Sequence, residues 1–219
     1  MKDEVIIYKA ENRTSVKKDV VQYCTILKDN LSNNNCASFQ HLLYVDDIFL
    51  QPKQVIELTK FDNCQLLILP VIGGIEINNS ISFIGAEQFY WKPINNKTTI
   101  VNPYEANEVN CLLLGFNYKA PYLMHDYFGE IDFSTKNMLH PFLNLPHLKM
   151  LIGIFKGRQE YTYETKYSNT GIYCMVIKGV VEVNGRLLHP RDGLSFSKVK
   201  DIELEALADN SIILFIETT

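Results

Sequence analysis

The sequence predicts an all-β protein made of two jelly-roll halves, and three observations predict it. Apolar and polar residues alternate with period two in many short segments. Gly, Pro, Asn and Asp separate those segments at the spacing of a sandwich or barrel. One stretch of the first half also reappears in the second, 106 residues later.

The C-terminal part carries the clearest elements. Met150 to Phe155, Glu160 to Thr165 and Ile172 to Ile177 are apolar or alternating runs suited to strands. Val180 to Val183 then meets Asn184-Gly185, a two-residue hairpin signal, and Leu187 to Leu188 and Leu194 to Phe196 follow. Ile202, Leu204 and Ala206 alternate with Glu203 and Glu205, Asp209-Asn210 turns the chain, and Ile212 to Ile216 reads as a buried closing strand.

Earlier, Leu66 to Asn79 (LLILPVIGGIEINN) lies without a gap against Ile172 to Gly185 (IYCMVIKGVVEVNG). Gly73 meets Gly179, Glu76 meets Glu182 and Asn78 meets Asn184. NEVNCLLLGF, ending at Phe116, parallels ADNSIILFIE, ending at Glu217. Internal duplication accounts for this, with chance likeness of two hairpins as the competing explanation. The expected division is 1–118 for the first half, a connecting segment over 119–147, and 148–219 for the second. The connection is rich in Pro and in aromatic residues such as Tyr122, Tyr127, Phe128 and Phe142, too many for a free linker. Val16 to Leu31 fits helix or strand.

Composition narrows the function classes. A formal charge of −4 and a pI near 5.7 give no electrostatic reason to bind nucleic acid. No run approaches the ~18 apolar residues of a membrane helix. The N-terminal apolar stretch, Val5 to Tyr8, is too short for a signal-peptide core, so a cytoplasmic location is expected. Five cysteines (24, 36, 64, 111 and 174) without a Cys-x-x-Cys pair point to free thiols. Cys64, Cys111 and Cys174 lie in strand patterns, where thiols are inert. Trp91, beside Lys92, offers either a face for ligand stacking or part of an aromatic cluster.

YKAENR near the N-terminus, HLLYVDD from His41 to Asp47, STKNMLHPF and especially GIYCMVIKGVVEVNGRLLHPRDGLSF resemble pirin-like bicupins. The last segment is similar to the C-terminal cupin of pirin and quercetinase-type proteins. The resemblance implies a bicupin fold and, in active members, a divalent metal, often iron, in the N-terminal barrel. A His-x-His pair, a later His and a carboxylate would hold it.

Here the ligands are missing. Counting back from Gly73 puts Lys60 and Asp62 where the His-x-His pair would fall, and the later ligands map near Asn102, Tyr104 and Glu105. The histidines, His41, His125, His140, His147 and His189, include no pair separated by one residue. The same count in the second half reaches Lys166 and Ser168. A cation would be repelled by Lys60, and two carboxylates without imidazole make a poor transition-metal site.

The expectation is therefore a degenerate bicupin with no cofactor, binding a small organic ligand or a protein. Lys60, Asp62, Asn102, Tyr104 and Glu105 are its candidate pocket residues. Two alternatives follow from the resemblance: a divergent quercetin 2,3-dioxygenase-like oxidoreductase, and a pirin-like transcriptional cofactor. Exposed edge strands would also permit a homodimer.

Overall fold

Period-two patterning becomes strand almost throughout the computed structural model, which describes residues 5–18, 21–28, 39–58, 64–78, 82–92, 98–117, 126–165 and 170–219. In chain order the first strands are β1 (Val5–Tyr8), β2 (Thr14–Lys18), β3 (Val21–Lys28), β4 (Leu42–Leu50), β5 (Val55–Glu57), β6 (Gln65–Ile72) and β7 (Ile75–Ile77). There follow β8 (Ser82–Ile84), β9 (Gln88–Lys92), β10 (Thr99–Val101), β11 (Val109–Phe116), β12 (Tyr127–Glu130), β13 (His140–Leu145) and β14 (Leu148–Phe155). The last are β15 (Gln159–Glu164), β16 (Gly171–Lys178), β17 (Val181–Val183), β18 (Arg186–Leu188), β19 (Gly193–Phe196), β20 (Asp201–Ala206) and β21 (Ser211–Thr218). A short 3-10 turn at Ala10–Asn12 is the one helical element among the described residues.

Two units result. Arg13–Ile131 forms one, and residues up to Asn12 join Asp132–Thr219 in the other. The first unit pairs a seven-stranded sheet, β12-β9-β6-β11-β4-β3-β2, with a four-stranded sheet, β5-β10-β7-β8. The second pairs β1-β19-β16-β21-β14-β13 with β15-β20-β17-β18. The order β9-β6-β11-β4 is repeated by β19-β16-β21-β14, and β5-β10-β7-β8 by β15-β20-β17-β18, so the repeat seen in sequence extends to the strand order.

The eight strands expected between Met150 and Ile216 are β14 to β21. Asn184 and Gly185 both take positive φ, 45° and 72°, as a type I′ hairpin requires. The matched glycines share a constraint. Gly73 has φ +75° and Gly179 φ +81°, and a Cβ on Gly179 would lie 2.8 Å from Ser211 Cα.

Two boundaries differ from the sequence expectation, and one open region is resolved. β1, placed with the first half, pairs with β19 of the second unit. The connecting segment carries two strands: β12 pairs with β9 and β13 with β14. Pro141 is tolerated in β13 because it lies at a register shift on an edge strand, where its missing N–H breaks no ladder. The described part of the Val16 to Leu31 region, open between helix and strand, belongs to β2 and β3, an antiparallel pair, and residues 19–20 and 29–31 lie outside the described residues.

Each unit has its own apolar core. Ile48, Leu66, Ile68, Ile77, Ile100 and Leu113 lead the first, and Phe155, Cys174, Val176, Val183, Leu204 and Phe215 lead the second. Trp91 is buried, 5.5 Å from Phe116 between ring centroids, so it is a packing residue and presents no surface for stacking. Among the described residues no helix is long and apolar enough to cross a membrane.

Candidate functional site

The loop after β10 brings Asn102, Tyr104 and Glu105 near one another without converging them. Asn102 is fully buried: its Nδ2 donates to the Leu50 carbonyl at 2.9 Å and the Asn107 carbonyl at 2.8 Å, and its Oδ1 accepts the Tyr104 N–H at 3.0 Å. Tyr104 packs on the apolar core, its ring beside Gly73. Glu105 points outward to Lys53 at 2.7 Å with its side chain 87% exposed, a surface pair of small energetic weight. Lys60 and Asp62, and their second-half counterparts Lys166 and Ser168, lie outside the described residues.

Three buried charges in the first unit escaped the sequence reading. Alternation puts Asp46 on the face of β4 that carries Ile48 and Leu50, where it accepts a 2.6 Å bond from the Thr25 hydroxyl. Asp47, on the opposite face, is held by Arg13 at 3.0 Å and by Asn110 Nδ2 at 2.6 Å. Lys92 is fully buried on the face of β9 that carries Tyr90. A charge inside an otherwise apolar strand, as in LLYVDDIFL and QFYWK, was the available signal.

The second unit holds a cleft of about 420 Å³ at one end of its barrel, lined by residues that include His147, Lys149, Tyr163, Glu164, Glu217 and Thr219. Lys149 and Glu217 stand opposite each other on β14 and β21. The Tyr163 hydroxyl donates a short hydrogen bond to Glu217 Oε2 and accepts one from Lys149 Nζ at 3.4 Å. Burial, then the hydrogen bond and negative charge of Glu217, hold the Tyr163 phenol well above its ordinary range, so it stays protonated. His147 Nδ1 meets Thr219 Oγ1 at 3.0 Å. Lys149 and Glu217 occupy inward positions of alternating strands, but their meeting depends on register that no local pattern shows.

The thiols behave as structural groups. Burial pushes Cys174 up to about 12, and burial, with the Asp47 charge as a smaller contribution, raises Cys111 further from reactivity. Cys24 and Cys64 are also buried, and Cys36 lies outside the described residues. His140 bonds the Thr135 carbonyl at 2.8 Å, away from the bond His147 makes with Thr219.

Residues 147–217 match the family described as the quercetinase C-terminal cupin domain. The solved structure of bacterial pirin YhhW from Escherichia coli, in complex with nickel(II), superposes with a TM-score of 0.83 at 13% identity, covering 98% of this chain and 99% of that one. The chain has a pirin-like bicupin fold. The bicupin fold is shared as well with quercetin 2,3-dioxygenase from Acinetobacter baumannii, at a TM-score of 0.71 and 12% identity over 98% of this chain and 78% of that one. GK1651 from Geobacillus kaustophilus aligns at 0.70 and 11% identity, covering 100% and 97%. No curated protein matches the bicupin in sequence.

Of the positions that the resemblance maps to metal ligands, the described ones are engaged elsewhere. The Asn102 amide is committed to backbone groups, the Tyr104 ring to the core, and the Glu105 carboxylate to solvent and Lys53. Among the described residues no group of three His, Cys, Asp or Glu side chains is placed to share an ion.

Proposed function

We propose that this pirin-like bicupin is a metal-free scaffold that binds a small molecule or a protein. The observation that carries the reading is Asn102, which stands where the family resemblance expects a ligand and spends its carboxamide on Leu50, Asn107 and Tyr104. The apolar side chains filling the first barrel also favour a structural interior over a polar reaction chamber. A protein partner, or a second copy of the chain, would find apolar surface at Ile72 and Phe83, which are 60% and 54% exposed beside the Gly73-Gly74 turn.

The test is metal analysis of protein purified without chelator, followed by a flavonol oxidation assay in added iron, nickel or copper. The scaffold reading expects substoichiometric metal and no turnover above buffer. Stoichiometric metal with turnover would establish the second reading, a quercetin 2,3-dioxygenase-like oxidoreductase, which draws support from the structural likeness to the Acinetobacter baumannii enzyme. The transcriptional-cofactor reading rests on the family resemblance, and pull-down from native cytosol tests it: a stoichiometric transcription factor supports it and none sinks it.

A further inference from the structure

Lys149 and Glu217 are a cation and an anion that share one phenol without satisfying each other. Glu217 is 7% exposed, and its Oε2 takes the Tyr163 proton. No described residue donates to Oε1. Lys149 forms no ion pair among the described residues; its ammonium has the weak bond to the Tyr163 oxygen and lies 5.6 Å from that ring's centroid. Tyr163 has no second proton to give. A buried carboxylate with one idle oxygen and an ammonium with idle hydrogens therefore line the same cleft.

The chemistry of the occupant follows. Glu164 adds a second carboxylate to the lining, so the cleft does not favour a plain anion. Residues directly opposite on antiparallel strands have Cβ atoms about 4.5–5.5 Å apart, so a ligand meeting both Lys149 and Glu217 must carry its own two groups on neighbouring atoms. Leu145 and Pro146 supply an apolar wall. We propose that this cleft binds an α-amino acid with an apolar side chain, its ammonium on Glu217, its carboxylate on Lys149, and its side chain against Leu145 and Pro146. The site belongs to the second barrel and does not depend on whether the first barrel is metal-free.

Titration calorimetry of the full chain with L-leucine tests the proposal, beside 2-hydroxy-4-methylpentanoate, which lacks the ammonium, and isoamylamine, which lacks the carboxylate. The expected result is saturable binding of L-leucine and affinities at least about tenfold weaker for the other two. Glu217→Gln keeps an acceptor for Tyr163, and Lys149→Met keeps the aliphatic stem; each is expected to weaken L-leucine about tenfold. If either variant does not fold, the three ligands on the unaltered chain decide. No heat with L-leucine at millimolar concentration, or equal binding of all three ligands, would overturn it.

Discussion

Asn102 satisfies two carbonyls and one amide of the chain with a single side chain. Asn102→Ala strands those groups in a buried loop and is expected to cost roughly 2–3 kcal/mol in denaturant unfolding. Asn102→His, which supplies the imidazole the resemblance expects, should destabilise as well, because the ring cannot reproduce the carboxamide's two donors and one acceptor. Unaltered stability of both variants would show that the loop does not depend on Asn102. The thiols give a second residue-scale outcome. With Cys174 pushed up to about 12 and Cys111 also raised by burial, a thiol reagent at pH 8 should label neither until denaturant is added. Rapid labelling of the folded chain at either position would contradict their placement.

At the scale of elements, β1 is tied to the second unit through Asp192 as well as through β19. Burial alone would push the Asp192 carboxyl up, but the Ala10 N–H, the Lys9 ammonium at 2.7 Å and the His189 N–H outweigh it and hold it below its ordinary value. A depressed carboxyl contributes stability above its unfolded value near ~3.9, and that contribution is lost as pH falls through the lower folded value. Asp192→Asn should therefore lower stability at neutral pH and shrink the difference from the parent chain below about pH 4. A difference that stays constant across that window would refute the linkage. On β15, β20 and β17, Glu160, Glu205 and Glu182 stand in register across three strands, relieved by Arg158 at 3.4 Å from Glu205. Glu182→Thr should raise stability by up to about 1 kcal/mol at low salt, with the gain shrinking as salt screens the stripe. A loss of stability would mean that these carboxylates are held by something other than each other. Elements of this kind were legible where alternation and Asn-Gly punctuation were local, as at Asn184-Gly185. β13 was not, because Pro141 reads as a breaker until the strand is known to be an edge.

For the whole molecule, the duplication locates what sequence could and could not disclose. Rows of paired residues correspond: Tyr44, Gly115, Leu66 and Lys92 in the first unit match Lys149, Glu217, Ile172 and Phe196 in the second. The same scaffold thus carries an inward lysine on β9 in one barrel, where it is buried, and on β14, half-buried and opposite a carboxylate, in the other. Mapping the family's ligands onto the sequence pointed only to positions 60, 62 and 102–105 of the first barrel and could not find the cleft of the second, since Tyr163 and Glu217 meet from 54 positions apart. On the metal-free reading proposed above, the first barrel has exchanged metal ligation for structure. A crystal structure grown in excess nickel(II) tests it most directly: the account expects Asn102 still bonded to the Leu50 and Asn107 carbonyls with no ion inside that barrel, and nickel held there by Asn102, Tyr104 or the residues at 60 and 62 would contradict it.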